Sequence, residues 1–132
     1  METIIFRGKR IRGGEWVYGN YFYDKDLPPY APMICIYENE AIDMYAVSPS
    51  TVGQFTGLYD MHGKPIFEGD VCLCDRNIND HIDKKTFAIK FSPLDGWYGA
   101  SKDGWSEFSG SAFECAEVIG NMYDHPDWLT EK

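Results

Sequence analysis

The sequence is poor in basic residues. It has 12 Lys and Arg against 21 Asp and Glu, so the formal net charge is −9 and the pI is about 4.6. A surface of this sign repels the phosphate backbone, which argues against DNA binding that is independent of base sequence. The same charge leaves open a second relationship to DNA, in which the acidic surface imitates DNA and occupies a DNA-binding protein.

The sequence also lacks long apolar runs. No stretch approaches the roughly 20 apolar residues that a membrane-spanning helix requires. The apolar run at residues 4–6 stops at Arg7, which is too short for the apolar region of a secretory signal. We therefore expect no membrane contact and a cytoplasmic protein. The four cysteines are then expected to be reduced thiols that act as small apolar side chains: Cys35, Cys72, Cys74 and Cys115.

Motifs of common enzyme classes are missing. The chain has no Gly-x-x-x-x-Gly-Lys phosphate loop, no Gly-x-Gly-x-x-Gly fingerprint and no Gly-x-Ser-x-Gly nucleophile motif. Cys72 and Cys74 are separated by one residue, whereas a zinc knuckle separates its cysteines by two to four residues and adds a second pair. We therefore expect no cofactor, and the sequence favours a non-catalytic protein over an enzyme.

Aromatic residues are abundant: 9 Tyr, 8 Phe and 4 Trp make up 16% of the chain, together with 13 Gly and 7 Pro. Aromatic side chains suit pleated surfaces, and glycine and proline supply turns. Short extended segments with turn signals between them predict a mainly β fold, a small barrel-like or sandwich domain of short antiparallel strands. The 132 residues form either a single domain or an N-terminal β subdomain (1–50) packed on a barrel-like part (51–132).

The clearest hairpin joins residues 52–58 to residues 65–74. The turn between them, Asp60-Met61-His62-Gly63-Lys64, places glycine where a positive φ is needed. Residues 75–85 are polar and predict a connection, and Pro126 predicts a short helical turn at residues 124–129.

Glu68 and Asp70 are the candidates for chemistry. They are two residues apart, so on a strand both carboxylates leave the same face, where they could hold a metal ion or share acid–base work. The alternative is structural: Gly69 permits an unusual backbone at the start of a strand, and Asp70 accepts hydrogen bonds from backbone N–H groups of the turn.

Two further groups of side chains are binding candidates. Trp97, Tyr98 and Trp105 lie in a glycine-rich segment, where exposed rings could anchor a partner and inward-facing rings would be core. Residues 1–14 carry four basic residues against the single acidic Glu2, a net charge of +3. We call the four basic residues the basic edge: Arg7, Lys9, Arg10 and Arg12. The basic edge could contact an anionic partner or face the acidic remainder of the chain.

Three stretches of this sequence together resemble the YopX family of phage and prophage proteins. They are Ile-Phe-Arg-Gly-Lys at 5–9 with Gly-Glu-Trp-Val-Tyr-Gly at 14–19; Gln-Phe-Thr-Gly-Leu-Tyr-Asp at 54–60 with Gly-Lys-Pro-Ile-Phe-Glu-Gly-Asp-Val at 63–71; and Glu-Val-Ile-Gly-Asn-Met-Tyr at 117–123 with Pro126 and Leu129. The resemblance implies a mainly β fold with a small barrel-like part. It brings no catalytic or binding residue with it.

The turn residues in these stretches are interpreted as structural: Gly57, Gly63, Gly69, Asp70, Gly120 and Asn121. The resemblance implies a phage- or prophage-encoded accessory protein in the cytoplasm of a bacterial host cell. The sequence favours a non-catalytic module that binds a protein partner, either another protein or a second copy of itself. The alternatives are an acidic DNA mimic, a metal-assisted hydrolase that uses Glu68 and Asp70, and a nucleic-acid binder that uses the basic edge.

Overall fold

The structure is a computed structural model that describes residues 6–78, 81–94, 96–100, 106–107 and 116–126. These residues include eleven β-strands and a 3-10 turn at Pro49–Thr51. The strands are β1 Phe6–Lys9, β2 Trp16–Phe22, β3 Met33–Glu38, β4 Ala41–Ala46, β5 Gly53–Tyr59, β6 Pro65–Phe67, β7 Asp70–Ile78, β8 His81–Ser92, β9 Gly96–Ala100, β10 Ser106–Glu107 and β11 Ala116–Asn121.

The strands form two antiparallel sheets, and the predicted mainly β fold is confirmed. The orders are β4-β3-β2-β1-β5-β6 and β10-β9-β8-β7-β11, so each sheet ends in two edge strands and is not a closed barrel in the part described. The predicted helical turn at 124–129 falls partly outside the described residues; of its residues 124–126, which the structure describes, only Pro126 is helical. No helix among the described residues is long and apolar enough to cross a bilayer.

The chain divides into two compact units, residues 1–55 and 56–132, with the boundary inside β5. In the first unit Ile34 and Val47 are fully buried. Gly8 and Gly19 let neighbouring elements approach closely, because a Cβ on Gly8 would meet Val47 and one on Gly19 would meet the carbonyl of Cys35. The packing in the first unit therefore explains why glycine stands at positions 8 and 19.

The second unit has the larger apolar core. Its buried residues come from β6, β7, β8 and β11: Ile66, Cys72, Cys74, Phe87, Ile89 and Ala116. Leu58, Trp97 and Val118 are partly buried and pack against this cluster. Burial, with the nearby carboxylates of Asp70 and Asp60, raises the pKa of the Cys72 thiol, which is therefore neutral. Cys72 and Cys74 thus occupy the core as small apolar side chains.

The interpretation of residues 75–85 as a polar connection is wrong. β7 continues to Ile78 and β8 begins at His81, and the register pairs Asp75 with Lys84 and Arg76 with Asp83. Main-chain hydrogen bonds define a β-ladder, so a polar sequence without apolar alternation can still continue two paired strands.

Gly99 in β9 makes the tightest approach to the core of the second unit. A Cβ at this position would collide with the ring of Phe87, which is buried. We expect Gly99→Ala to lower the free energy of unfolding by about 1–3 kcal/mol, measured by urea denaturation. In a Phe87→Leu background the loss should be smaller, because the smaller side chain leaves room. Equal losses in both backgrounds would contradict the collision.

Candidate functional site

Asp60 ties together the hairpin turn and the last strand of the second unit. Its Oδ1 accepts hydrogen bonds from the backbone N–H groups of His62 (2.8 Å) and Lys64 (2.9 Å), and its Oδ2 accepts from that of Val118 (3.0 Å). Burial favours the neutral acid, but the three N–H donors and the nearby His62 outweigh it, so the pKa of Asp60 is lowered. Asp60 is a structural carboxylate that joins segments 58 residues apart.

Asp70 does not face solvent beside Glu68. Only 2% of it is exposed, and its Oδ2 accepts a hydrogen bond from the backbone N–H of Phe67 at 2.8 Å. Within the described parts of the chain, no three His, Cys, Asp or Glu side chains come together as a metal site would require. The geometry around Asp70 is that of the structural alternative, a carboxylate that satisfies a turn.

The glycines of the structural motif differ in their backbone. Gly57, Gly63 and Gly69 have positive φ values of 86°, 81° and 92°, whereas Gly120 does not and pairs with Val71 beside a register shift in β11. The Oδ1 of Asn121 accepts hydrogen bonds from the backbone N–H groups of Tyr123 and Asp124 and thereby fixes the turn after β11. The turn at Gly63 and the turn at Asn121 are both closed by a side-chain oxygen.

A cleft of about 290 Å³ lies in the second unit, with Gly69 at its lining. The N–H of Gly69 donates to the carbonyl of Ile89, and the carbonyl of Gly69 accepts from the N–H of Met122, both at 2.9 Å. The ring of Tyr123 lies against Gly69, where a Cβ would be 2.6 Å from its Cε2. The described residues that line it are Glu68, Gly69, Ile89, Lys90, Phe91, Tyr98, Met122 and Tyr123.

The aromatic candidates separate in the structure. Tyr98 lines the cleft, and Trp97 packs on the core and meets the ring of Phe91 edge-on, with centroids 5.0 Å apart and an interplanar angle of 63°. Trp105 lies outside the described residues. The cleft therefore brings Tyr98 together with Glu68, two residues that the sequence offered as separate candidates.

The four basic residues near the N-terminus do not form one exposed patch. Arg7 is 5% exposed, and its guanidinium lies 4.5 Å from the ring centroid of Trp16; the ammonium of Lys9 lies 5.8 Å from the same centroid. Arg10 contacts the carboxylate of Glu15 at 3.0 Å and stacks on an aromatic ring. Arg12 is exposed. Among the described contacts, Arg10 meets an acidic neighbour, as the second interpretation expects, whereas Arg7 and Lys9 lie against an aromatic ring, which neither interpretation stated.

An exposed apolar face on the first unit was missed by the sequence analysis. The register places Phe22 opposite Met33, Cys35 opposite Met44, and Tyr37 opposite Ile42, and alternation puts all three pairs on one side of the sheet. Tyr37 is 70% exposed and Ile42 is 58% exposed, although Ile34 on the other side is fully buried. We call this set the apolar face: Phe22, Met33, Cys35, Tyr37, Ile42 and Met44.

Strand alternation does not predict the apolar face, because it assigns apolar side chains to the covered side of a half-buried strand. In β3 nearly every residue is apolar, which is the pattern of a strand covered on both sides. That pattern was the available signal.

Comparison with known families decides the assignment. The sequence profile of the YopX protein family matches residues 5–130. The chain belongs to the YopX family. The resemblance described from the sequence is thereby confirmed. The second of the three family-like stretches, residues 54–71 of this YopX chain, contains both Asp60 and the turn Glu68-Gly69-Asp70.

A solved structure shares the YopX chain's fold. Protein EF1440 from Enterococcus faecalis superposes with a TM-score of 0.59, covering 98% of this chain and 99% of that one, at 19% identity. At this identity the likeness concerns the fold alone. A comparison with curated proteins gave no match.

Proposed function

We propose that this YopX-family protein is a non-catalytic module that binds a protein partner through the apolar face of its first unit. The observation that carries the proposal is the exposure of Tyr37 and Ile42, which lie opposite each other in β3 and β4, on the side of the sheet away from the fully buried Ile34. Contiguous exposed apolar side chains on a soluble domain mark interaction sites, and aromatic residues contribute most at such interfaces.

The charge around the face indicates what kind of partner fits. The adjoining hairpin tip carries exposed Glu38, Glu40 and Asp43, and residues 38–43 contain no Lys or Arg. A complementary surface would have an apolar centre and a basic border, since opposite potentials attract and like charges repel across an interface. A second copy of this chain, with a net charge of −9, fits less well than a basic partner.

The free edge of β4 is poorly suited to pairing with another copy. The carbonyl of Ala46 already accepts a hydrogen bond from the N–H of Ile11 at 3.0 Å, which leaves only a short stretch of strand before the turn at residues 39–40. Antiparallel self-pairing centred on Asp43 would put two carboxylates opposite each other. These features favour binding through the face over extension of the sheet.

The setting belongs to the same proposal. A phage or prophage origin and action in the bacterial cytoplasm are supported by the YopX resemblance and by the sequence features described above. In that setting the partner would be a protein of the host cell or of the phage. The acidic surface is also compatible with a DNA-binding protein as the partner, because such proteins carry basic borders.

The test compares matched surface variants in capture from bacterial lysate. Tyr37→Ser with Ile42→Ser should weaken binding of the captured protein by about 30-fold or more, because buried aromatic anchors carry most of an interface's free energy. Tyr59→Ser with Met61→Ser, which also changes an exposed tyrosine and an exposed aliphatic side chain but in the second unit, is the control. The purified partner should bind with an affinity that falls as salt rises. Equal binding by both double variants would refute the proposal, and so would a stable dimer that only the first double variant dissociates.

A further inference from the structure

We propose that the cleft of the second unit binds a guanidinium group, presented by an arginine side chain or by a small guanidinium compound. The inference is independent of the apolar face, because it concerns residues of the other unit. It rests on the size of the cleft, on three aromatic rings in its lining and on the carboxylate of Glu68.

The size of the cleft limits the guest. At about 290 Å³ it lies just below the range of ligand pockets, which is roughly 300–1,000 Å³. A side chain or a compound of similar size fits this volume better than a nucleotide or an oligosaccharide. The net charge of −9 further disfavours phosphorylated guests and attracts cations.

Two of the aromatic rings that line the cleft, those of Phe91 and Tyr123, pack against neighbouring residues. Phe91 is 53% exposed, so part of its ring is available, while its contact with Trp97 orients it. The ring of Tyr123 lies against Gly69, and Tyr98 is a third aromatic residue of the described lining. A planar cation stacks on such rings by cation–π attraction, and guanidinium is the side-chain cation that stacks best.

Polar recognition at this cleft depends on side chains. The N–H and carbonyl of Gly69 are already engaged with Ile89 and Met122. Glu68 also lines the cleft, and a carboxylate accepts charge-assisted hydrogen bonds from the N–H donors of a guanidinium group. An ammonium group lacks both the planar face and the fork of N–H donors, so the cleft should prefer arginine to lysine.

Lys90 allows a prediction of the opposite sign, because removal of its charge should strengthen binding. It also lines the cleft and carries a positive charge, which repels a cationic guest and competes with it for Glu68. Its exposed, flexible stem lets the ammonium group lie away from the rings. Lys90→Met should therefore strengthen guanidinium binding, whereas most substitutions in a binding site weaken it.

The experiment is an NMR titration of the ¹⁵N-labelled full chain with N-acetyl-L-arginine amide and with N-acetyl-L-lysine amide. We expect arginine-specific shift changes concentrated at residues 68–69, 90–91, 98 and 122–123. Glu68→Gln should weaken binding about tenfold, as loss of a charge-assisted contact implies. Glu117→Gln removes the same charge from a carboxylate that lies 3.8 Å from His62 and outside the cleft lining, so it should bind as the wild type does. Thermal melts verify that both variants are folded.

Three outcomes would overturn the proposal: no shift changes at the cleft, equal responses to arginine and lysine, or equal affinities of Glu68→Gln and Glu117→Gln. Methylguanidinium and the peptide Gly-Ser-Arg-Ser-Gly then distinguish the source of the group. Tighter binding of the peptide supports an arginine of a partner protein, and tighter binding of methylguanidinium supports a small compound. Both results uphold the site.

Discussion

Asp60→Ala is expected to lower the free energy of unfolding by about 3 kcal/mol, because one carboxylate serves three backbone N–H donors. The N–H groups of His62 and Lys64 lie in an exposed turn, so in the variant they can form hydrogen bonds with water instead. The N–H of Val118 lies in β11, and its bond to Asp60 joins that strand to the turn. Most of the loss should therefore come from the contact with Val118. Urea denaturation of the full chain measures it.

A matched control for Asp60→Ala is Asp24→Ala. Asp24 also accepts a backbone hydrogen bond, from the N–H of Asp26 at 2.9 Å, but the contact is local and exposed. The Asp24 variant should lose less than about 1 kcal/mol. Similar losses in the two variants would contradict the role of Asp60 as a link between distant segments.

The lowered pKa of Asp60 predicts a pH dependence. A carboxyl group whose pKa is lower in the folded chain contributes stability that is fully present above its unfolded pKa of about 3.9 and is lost as the pH falls through the folded value. Wild-type stability should therefore fall on acidification from about pH 5. In Asp60→Asn this part of the fall should be absent, so the two stability curves converge at low pH. Parallel curves over this range would contradict the prediction.

Gly69→Ala should lower the free energy of unfolding by about 2–4 kcal/mol, which combines two effects. A φ of +92° disfavours any residue with a Cβ, and the added methyl group would push against the ring of Tyr123. The shared hydrogen bonds of Gly69 with Ile89 and Met122 limit how far the backbone can move away. Chemical denaturation measures the loss.

Gly63→Ala separates the two effects. Gly63 has a similar φ of +81°, but nothing lies within 4 Å of the position where its Cβ would stand. Its substitution should show the backbone effect alone, about 1–2 kcal/mol. The difference between the two variants then measures the contact with Tyr123, and it should shrink when Tyr123→Ala is introduced with Gly69→Ala. No difference between Gly63→Ala and Gly69→Ala would refute the packing argument.

Local chemistry explains what could be predicted. The hairpin turn ending at Lys64 was identifiable because glycine and aspartate have specific turn geometries, and those demands act within a few residues. The same holds for the backbone role of Gly69 in the turn before β7. The polar segment 75–85 shows the opposite case, since the pairing of β7 with β8 is set by main-chain bonds and leaves little trace in hydrophobic alternation.

The sequence by itself determined the fold class, the family and the turns, because alternation, turn residues and the YopX signature are all local patterns. Only the tertiary structure decided which side chains meet. Glu68, Tyr98 and Tyr123 share a cleft only because β8, β9 and the turn after β11 are brought beside the turn at Gly69. Alternation fixes which residues share one side of a strand, but it does not fix which side is covered. That is why the burial of Asp70 and the exposure of Tyr37 became visible only in the folded chain.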